Sequence, residues 1–95
     1  MSSNESEEKG LTPASENILE IKTELMKGVT KLVKRHHLTK RLVEKILNIS
    51  QSTAGELISA KTNKLTIDEL ASYLVTMSIH VGEKVRVNVE IEKIA

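Results

Sequence analysis

Residues 38–60 read LTKRLVEKILNISQSTAGELISA, and this stretch decides the fold because it holds two short helices and the turn between them. Thr39 and Ser50 are residue types that cap helix N-termini, so each is predicted to begin a helix. Asn48 separates the two apolar patterns and tolerates the left-handed conformation that ends helices. The stretch therefore predicts a helix of about nine residues, a turn over residues 48–50, and another short helix.

A longer helix is predicted on each side of this pair. Upstream, Thr12 and Pro13 suit the N-cap and first helical positions, and apolar residues then recur at three- and four-residue steps as far as His36. Downstream, Thr66 and Glu69 have the spacing of a capping box, which marks the start of a helix. The sequence therefore predicts four helices up to about residue 80.

After residue 82 the apolar period changes to two, which is typical of a half-buried strand. Its apolar positions are Val85, Val87, Val89 and Ile91. A lone strand has a row of unpaired backbone groups, so we expect it to pair with its copy across a two-fold axis, its apolar face lying on the helices. The alternative is a tail that pairs with an unrelated protein or docks on the first helix.

Composition agrees with a small helical domain. Hydrophobic residues make up 39% of the chain, yet Tyr73 is the only aromatic, so the core must be aliphatic. Disulfides and thiol chemistry are excluded because the chain has no cysteine. The sequence predicts a mainly α protein with four or five helices: a disordered acidic arm at residues 1–14, a helical domain at 15–80 and a dimerisation strand at 81–95. Neither a signal peptide nor a membrane span is predicted, and the expected location is cytoplasmic.

The net charge of +1 is unevenly distributed. Residues 22–64 carry ten Lys or Arg against three Glu, whereas residues 1–17 carry four Glu against one Lys. A basic middle can attract phosphate groups, because neutralising them releases counterions. The alternative interpretation is a solvated lysine-rich face.

Two short helices joined by a three-residue turn have the geometry of a helix-turn-helix, in which the second helix enters the major groove of DNA. Residues 38–52 resemble the Leu-Thr-Gln-x-x-x-Ala-x-x-Leu-Gly-Ile-Ser-Gln pattern of lambda-repressor-like, or XRE-type, regulators. The resemblance covers about residues 18–80, and the strand after it resembles that of Cro-like and HigA-type antitoxin members. It implies a repressor that binds double-stranded DNA as a homodimer, with a toxin protein as a further candidate partner.

Within such a motif, position and chemistry together predict the contacts. Gln51 is the leading base-reading residue because its amide can pair bidentately with adenine, and Ser52, Thr53 and Glu56 are secondary. Residues that flank the second helix suit phosphate contacts, which position a protein without reading sequence. They are Arg35, Lys40, Arg41, Ser50, Lys61 and Lys64. For residues 51–53 the alternative is an ordinary solvated helix start.

Catalytic and metal sites are not predicted. His36 and His37 are adjacent, and adjacent helical residues point in different directions, so the pair does not form a chelate. No nucleophile elbow and no glycine-rich phosphate loop occurs. We therefore expect no enzyme activity, cofactor, metal or small-molecule substrate.

A second function remains open from the sequence. The chain would then be a protein-interaction module that has lost DNA binding and binds a partner through its helices or C-terminal strand. Glu44, Gly55 and Glu56 favour this alternative. Gly55 does so because glycine inside a helix costs about 1 kcal/mol relative to Ala.

Overall fold

The computed structural model describes residues 12–61 and 64–94. Its helices are α1 (Pro13–Arg35), α2 (Lys40–Leu47), α3 (Gln51–Ile58) and α4 (Ile67–His80). The mainly α prediction is confirmed. The predicted arm ended at residue 14, but α1 already begins at Pro13, and residues 1–11 of that arm lie outside the described residues.

All four predicted N-caps are confirmed. The side chains of Thr12, Thr39 and Ser50 each accept a hydrogen bond of 3.1 Å from a backbone N–H in the first turn of their helix. Thr66 does the same for α4, and the Glu69 carboxylate in return accepts from the Thr66 backbone N–H at 2.9 Å, which completes the capping box. Each cap satisfies a backbone donor that has no partner inside its own helix.

One aliphatic core joins the four helices. Its fully buried members include Val29 of α1, Val43 of α2, Ala54 of α3 and Leu70 of α4. Ile58, in the last turn of α3, is exposed and does not belong to this core. The core therefore fixes α2 and α3 against the two longer helices.

The predicted C-terminal strand is wrong for the described residues, none of which forms a strand. Val85 packs against the core, but Val87 and Val89 are each 77% exposed and Ile91 is 94% exposed. The physical reason is that a strand is defined by hydrogen bonds to a neighbouring strand, and a single chain with one such segment supplies no neighbour. The apolar alternation is therefore present without the pairing, and its positions after Val85 are exposed.

Across residues 12–61 and 64–94, no helix combines the length and apolar content needed to cross a bilayer.

Candidate nucleic-acid interface

The turn between α2 and α3 has the predicted geometry. Asn48 adopts the left-handed conformation with φ 54° and ψ 51°, and its backbone N–H donates to the Glu44 carbonyl. The Ile49 N–H donates to that same carbonyl at 3.2 Å. Ser50 then caps α3, and the first two residues of α3, Gln51 and Ser52, are exposed at the surface.

Two of the four predicted base-reading residues are available for external contacts. Gln51 and Ser52 are exposed in the first turn of α3, and neither side chain is hydrogen-bonded to another described residue. The Thr53 side chain is half-buried, and its hydroxyl accepts a hydrogen bond of 3.0 Å from the Ser50 hydroxyl. Glu56 is also half-buried, with its carboxylate 3.8 Å from the Lys64 ammonium.

Some of the predicted phosphate-contacting residues are bound to other residues of the protein, and others form no ion pair with a described residue. The Ser50 hydroxyl is engaged in the cap of α3, and the Arg35 guanidinium is paired with the Glu83 carboxylate. Lys40, Arg41 and Lys61 are exposed, and none forms an ion pair with a described residue. Lys64 pairs with Glu56, but it is 83% exposed, so that pair is weak and can open.

Gly55 of α3 lies near the Lys40 side chain of α2, the helix that also carries Glu44. Glu44 is half-buried and forms no ion pair among residues 12–61 and 64–94. Gly55 faces the Lys40 side chain: a Cβ added to Gly55 would lie 3.9 Å from the Lys40 Cδ. The lysine stem therefore passes over the middle of α3.

A surface depression lies on the outer face of α3 and continues past its end. It is lined by Ser52, Gly55, Glu56, Ser59, Lys61 and Lys64. The lining includes two predicted base-reading residues and two predicted phosphate contacts. The geometry thus brings these four together, whereas Arg35 is held by Glu83 in a separate cluster.

That cluster joins the end of α1 to the chain beyond α4. Glu83 hydrogen-bonds to Arg35 and to the His36 imidazole, each at 2.5 Å. The His36 hydrogen bond, with the charge of Arg35, holds the pKa of the Glu83 carboxyl below its ordinary value of 4.5. Sequence reasoning missed Glu83 because it lies 48 residues from Arg35, and no spacing rule connects residues so far apart.

Most of the chain, including the two motif helices, matches a known protein family. A family model described as a helix-turn-helix domain matches residues 9–90. The chain belongs to the helix-turn-helix domain family. This helix-turn-helix protein shows no significant match to a curated protein or to a solved structure. Membership supports a DNA-binding regulator with DNA as its partner, in agreement with the exposed start of α3.

Residues 12–61 and 64–94 contain no group of three His, Cys, Asp or Glu side chains placed to hold a metal ion. The His36 imidazole is hydrogen-bonded to Glu83.

Proposed function

We propose that this helix-turn-helix protein is a sequence-specific double-stranded DNA-binding repressor that occupies an inverted-repeat operator as a homodimer. The observation that carries the proposal is the exposed Gln51 and Ser52 at the capped start of α3, which the turn at Asn48 holds at the surface. Its place of action is the cytoplasm. No enzyme activity, cofactor or small-molecule substrate is part of the proposal.

Base reading in this proposal falls mainly to Gln51. A glutamine amide donates to and accepts from adenine at two points in the major groove, and such a pair discriminates by about 1–3 kcal/mol. Ser52 supplies a second exposed hydroxyl donor and acceptor beside it. Thr53 and Glu56 contribute to reading only where DNA displaces their present partners, Ser50 and Lys64.

Phosphate contacts in this proposal come from residues before and after α3 in the chain. Lys40 and Arg41 stand at the start of α2, and Lys61 follows the end of α3. All three are exposed, so they can neutralise backbone phosphates without first breaking an ion pair to a described residue. Arg35 joins them only if Glu83 releases it.

The homodimer in this proposal uses the segment after α4. Val87, Val89 and Ile91 alternate with polar residues and leave an apolar face open to solvent, which favours pairing with a second copy. Pairing across a two-fold axis would satisfy the backbone groups of both segments at once. The α3 helices of the two copies, spaced about 34 Å apart, would then meet half-sites one helical turn apart. An antitoxin role with a toxin partner rests on the XRE-type resemblance alone.

The test is selection of bound sequences from a random duplex pool, followed by titration of the selected duplex with Gln51→Ala and Lys61→Ala. We expect an enriched inverted repeat. Gln51→Ala should relax preference at one base position in each half-site, whereas Lys61→Ala should weaken binding to all duplexes by a similar factor. If both variants affect every duplex equally, the base-reading role of Gln51 is wrong.

A second candidate function is a protein-interaction module. It is favoured by the Glu56–Lys64 pair, which places a carboxylate on the outer face of α3, and by the exposed apolar segment after α4. The duplex selection separates the two functions. No enriched sequence, with only weak salt-sensitive binding, would support the interaction module over the repressor.

A further inference from the structure

A second surface depression runs along α1 and carries three lysines that no predicted contact includes. It is lined by Thr23, Met26, Lys27, Thr30, Lys31, Lys34 and Ala60. Lys27, Lys31 and Lys34 follow one another at steps of four and three residues, so they lie on one face of the helix. All three are exposed.

This depression and the one on the outer face of α3 are lined in part by consecutive residues of the chain. Ala60 lines it from the end of α3, and the next residue, Lys61, lines the depression on the outer face of α3 together with Lys64. We call the lysines that line these two depressions the lysine band. It consists of Lys27, Lys31, Lys34, Lys61 and Lys64.

The lysine band is only partly neutralised by its own protein. Lys27 pairs with Glu24 at 2.9 Å, but both side chains are about two-thirds exposed, so water and salt screen the attraction. Lys31 and Lys34 form no ion pair within residues 12–61 and 64–94. Like charges collected on one face repel each other, and a bound polyanion relieves that repulsion.

The spacing of the α1 lysines suits a duplex backbone. From Lys27 to Lys34 the helix rises about 10 Å, and over that length one strand of a duplex presents about three phosphates. An ammonium group suits phosphate as a compact charge that needs no fixed geometry.

We infer that α1 carries a second phosphate-binding surface, in which Lys27, Lys31 and Lys34 contact the DNA backbone next to the stretch that α3 reads. The inference rests on the proposed DNA-binding function and extends it, because it predicts a longer footprint than the motif helices alone provide.

The test compares Lys31→Ala with Lys22→Ala on the selected duplex, over about 50–200 mM salt. Lys22 is the control because it lies nine residues before Lys31, which at about 100° per residue is half a turn around the same helix, where its side chain is half-buried. Each phosphate contact adds about 0.9 to the slope of log K against log salt. Because a homodimer carries two copies of each lysine, Lys31→Ala should lower that slope by about 1.8 and Lys31→Ala/Lys34→Ala by about 3.6, whereas Lys22→Ala should leave it unchanged.

In affinity, wild type should lose about 12-fold more binding over that fourfold salt range than Lys31→Ala, and about 150-fold more than the double variant. Thermal melting by circular dichroism shows whether each variant is folded. Trimming the duplex flanks should reduce the wild-type slope and abolish the difference from the double variant.

The outcomes separate the inference from the proposed function. If wild type binds the selected duplex but the Lys31 and Lys34 variants keep the slope of Lys22→Ala, the α1 surface is wrong and the proposed function stands. If wild type binds no duplex, both are wrong.

Discussion

Replacing Gly55 by alanine should stabilise this protein, because the substitution removes a helix-weakening residue without creating a collision. Gly55 lies inside α3, and its backbone does not have the positive φ that would require glycine. The nearest contact of an added Cβ would be the Lys40 Cδ at 3.9 Å, an ordinary van der Waals distance. The full helix-propensity gain of about 1 kcal/mol should therefore appear in the free energy of unfolding.

A gain of that size is measurable in a small domain. It corresponds to a rise in Tm of about 4–8 °C, which thermal melting followed by circular dichroism detects readily. Urea titration should give the same gain as a shifted midpoint at constant slope. A wild-type or lower Tm for Gly55→Ala would refute the reasoning that α3 is limited by its glycine.

Gly28→Ala is the matched control, since it makes the same chemical change inside α1. There an added Cβ would meet the Leu74 Cδ2 at 3.0 Å and its Cδ1 at 3.1 Å, and Leu74 is buried in the core. Overpacking of this kind costs about 1–3 kcal/mol, so it should cancel or exceed the propensity gain. Equal stabilisation by both substitutions would show that the packing around Gly28 has no influence.

Three further predictions concern the cap of α4, the Glu83 cluster and the C-terminal segment. Thr66→Ala should lower the free energy of unfolding by about 1 kcal/mol because it removes the side-chain acceptor of the capping box, while Thr66→Ser should retain most of it; equal melting of both variants would contradict this. Because the pKa of Glu83 is lowered in the folded protein, its contribution to stability is present above the ordinary value of 4.5 and is lost as pH falls through the folded pKa. The Tm advantage of wild type over Glu83→Gln should therefore shrink on acidification, and an advantage independent of pH would argue against the pairing. Val87→Lys/Val89→Lys should produce monomers in sedimentation or light scattering, and an unchanged mass would remove the C-terminal segment from the proposed dimer.

The features that the sequence predicted correctly are those controlled by local interactions. The caps at Thr12, Thr39, Ser50 and Thr66 were all predicted correctly, as was the left-handed ending at Asn48. Each depends on a side chain and a backbone group within a few residues of each other, so residue type and spacing are sufficient. The mainly α architecture and the helix-turn-helix follow from these local signals.

The same reasoning was weaker for the availability of individual site residues. Arg35 and Glu56 have side chains suited to DNA contacts, but they are engaged by Glu83 and Lys64. The Arg35 partner comes from beyond α4, and a partner so remote in sequence leaves no periodic pattern. The C-terminal strand failed for a related reason, because an alternating pattern reports a tendency to pair but does not supply the neighbour.

What the sequence by itself determined is the order of the helices, their starting points and the turn that exposes Gln51, since hydrogen bonds and apolar periods within one helix carry that information. Only the tertiary structure decided which charged side chains remain available and which surfaces adjoin. The lysines of α1 share a depression with Ala60, just after α3, because the core packs those helices together. Packing is a property of the whole chain, and no single segment encodes it.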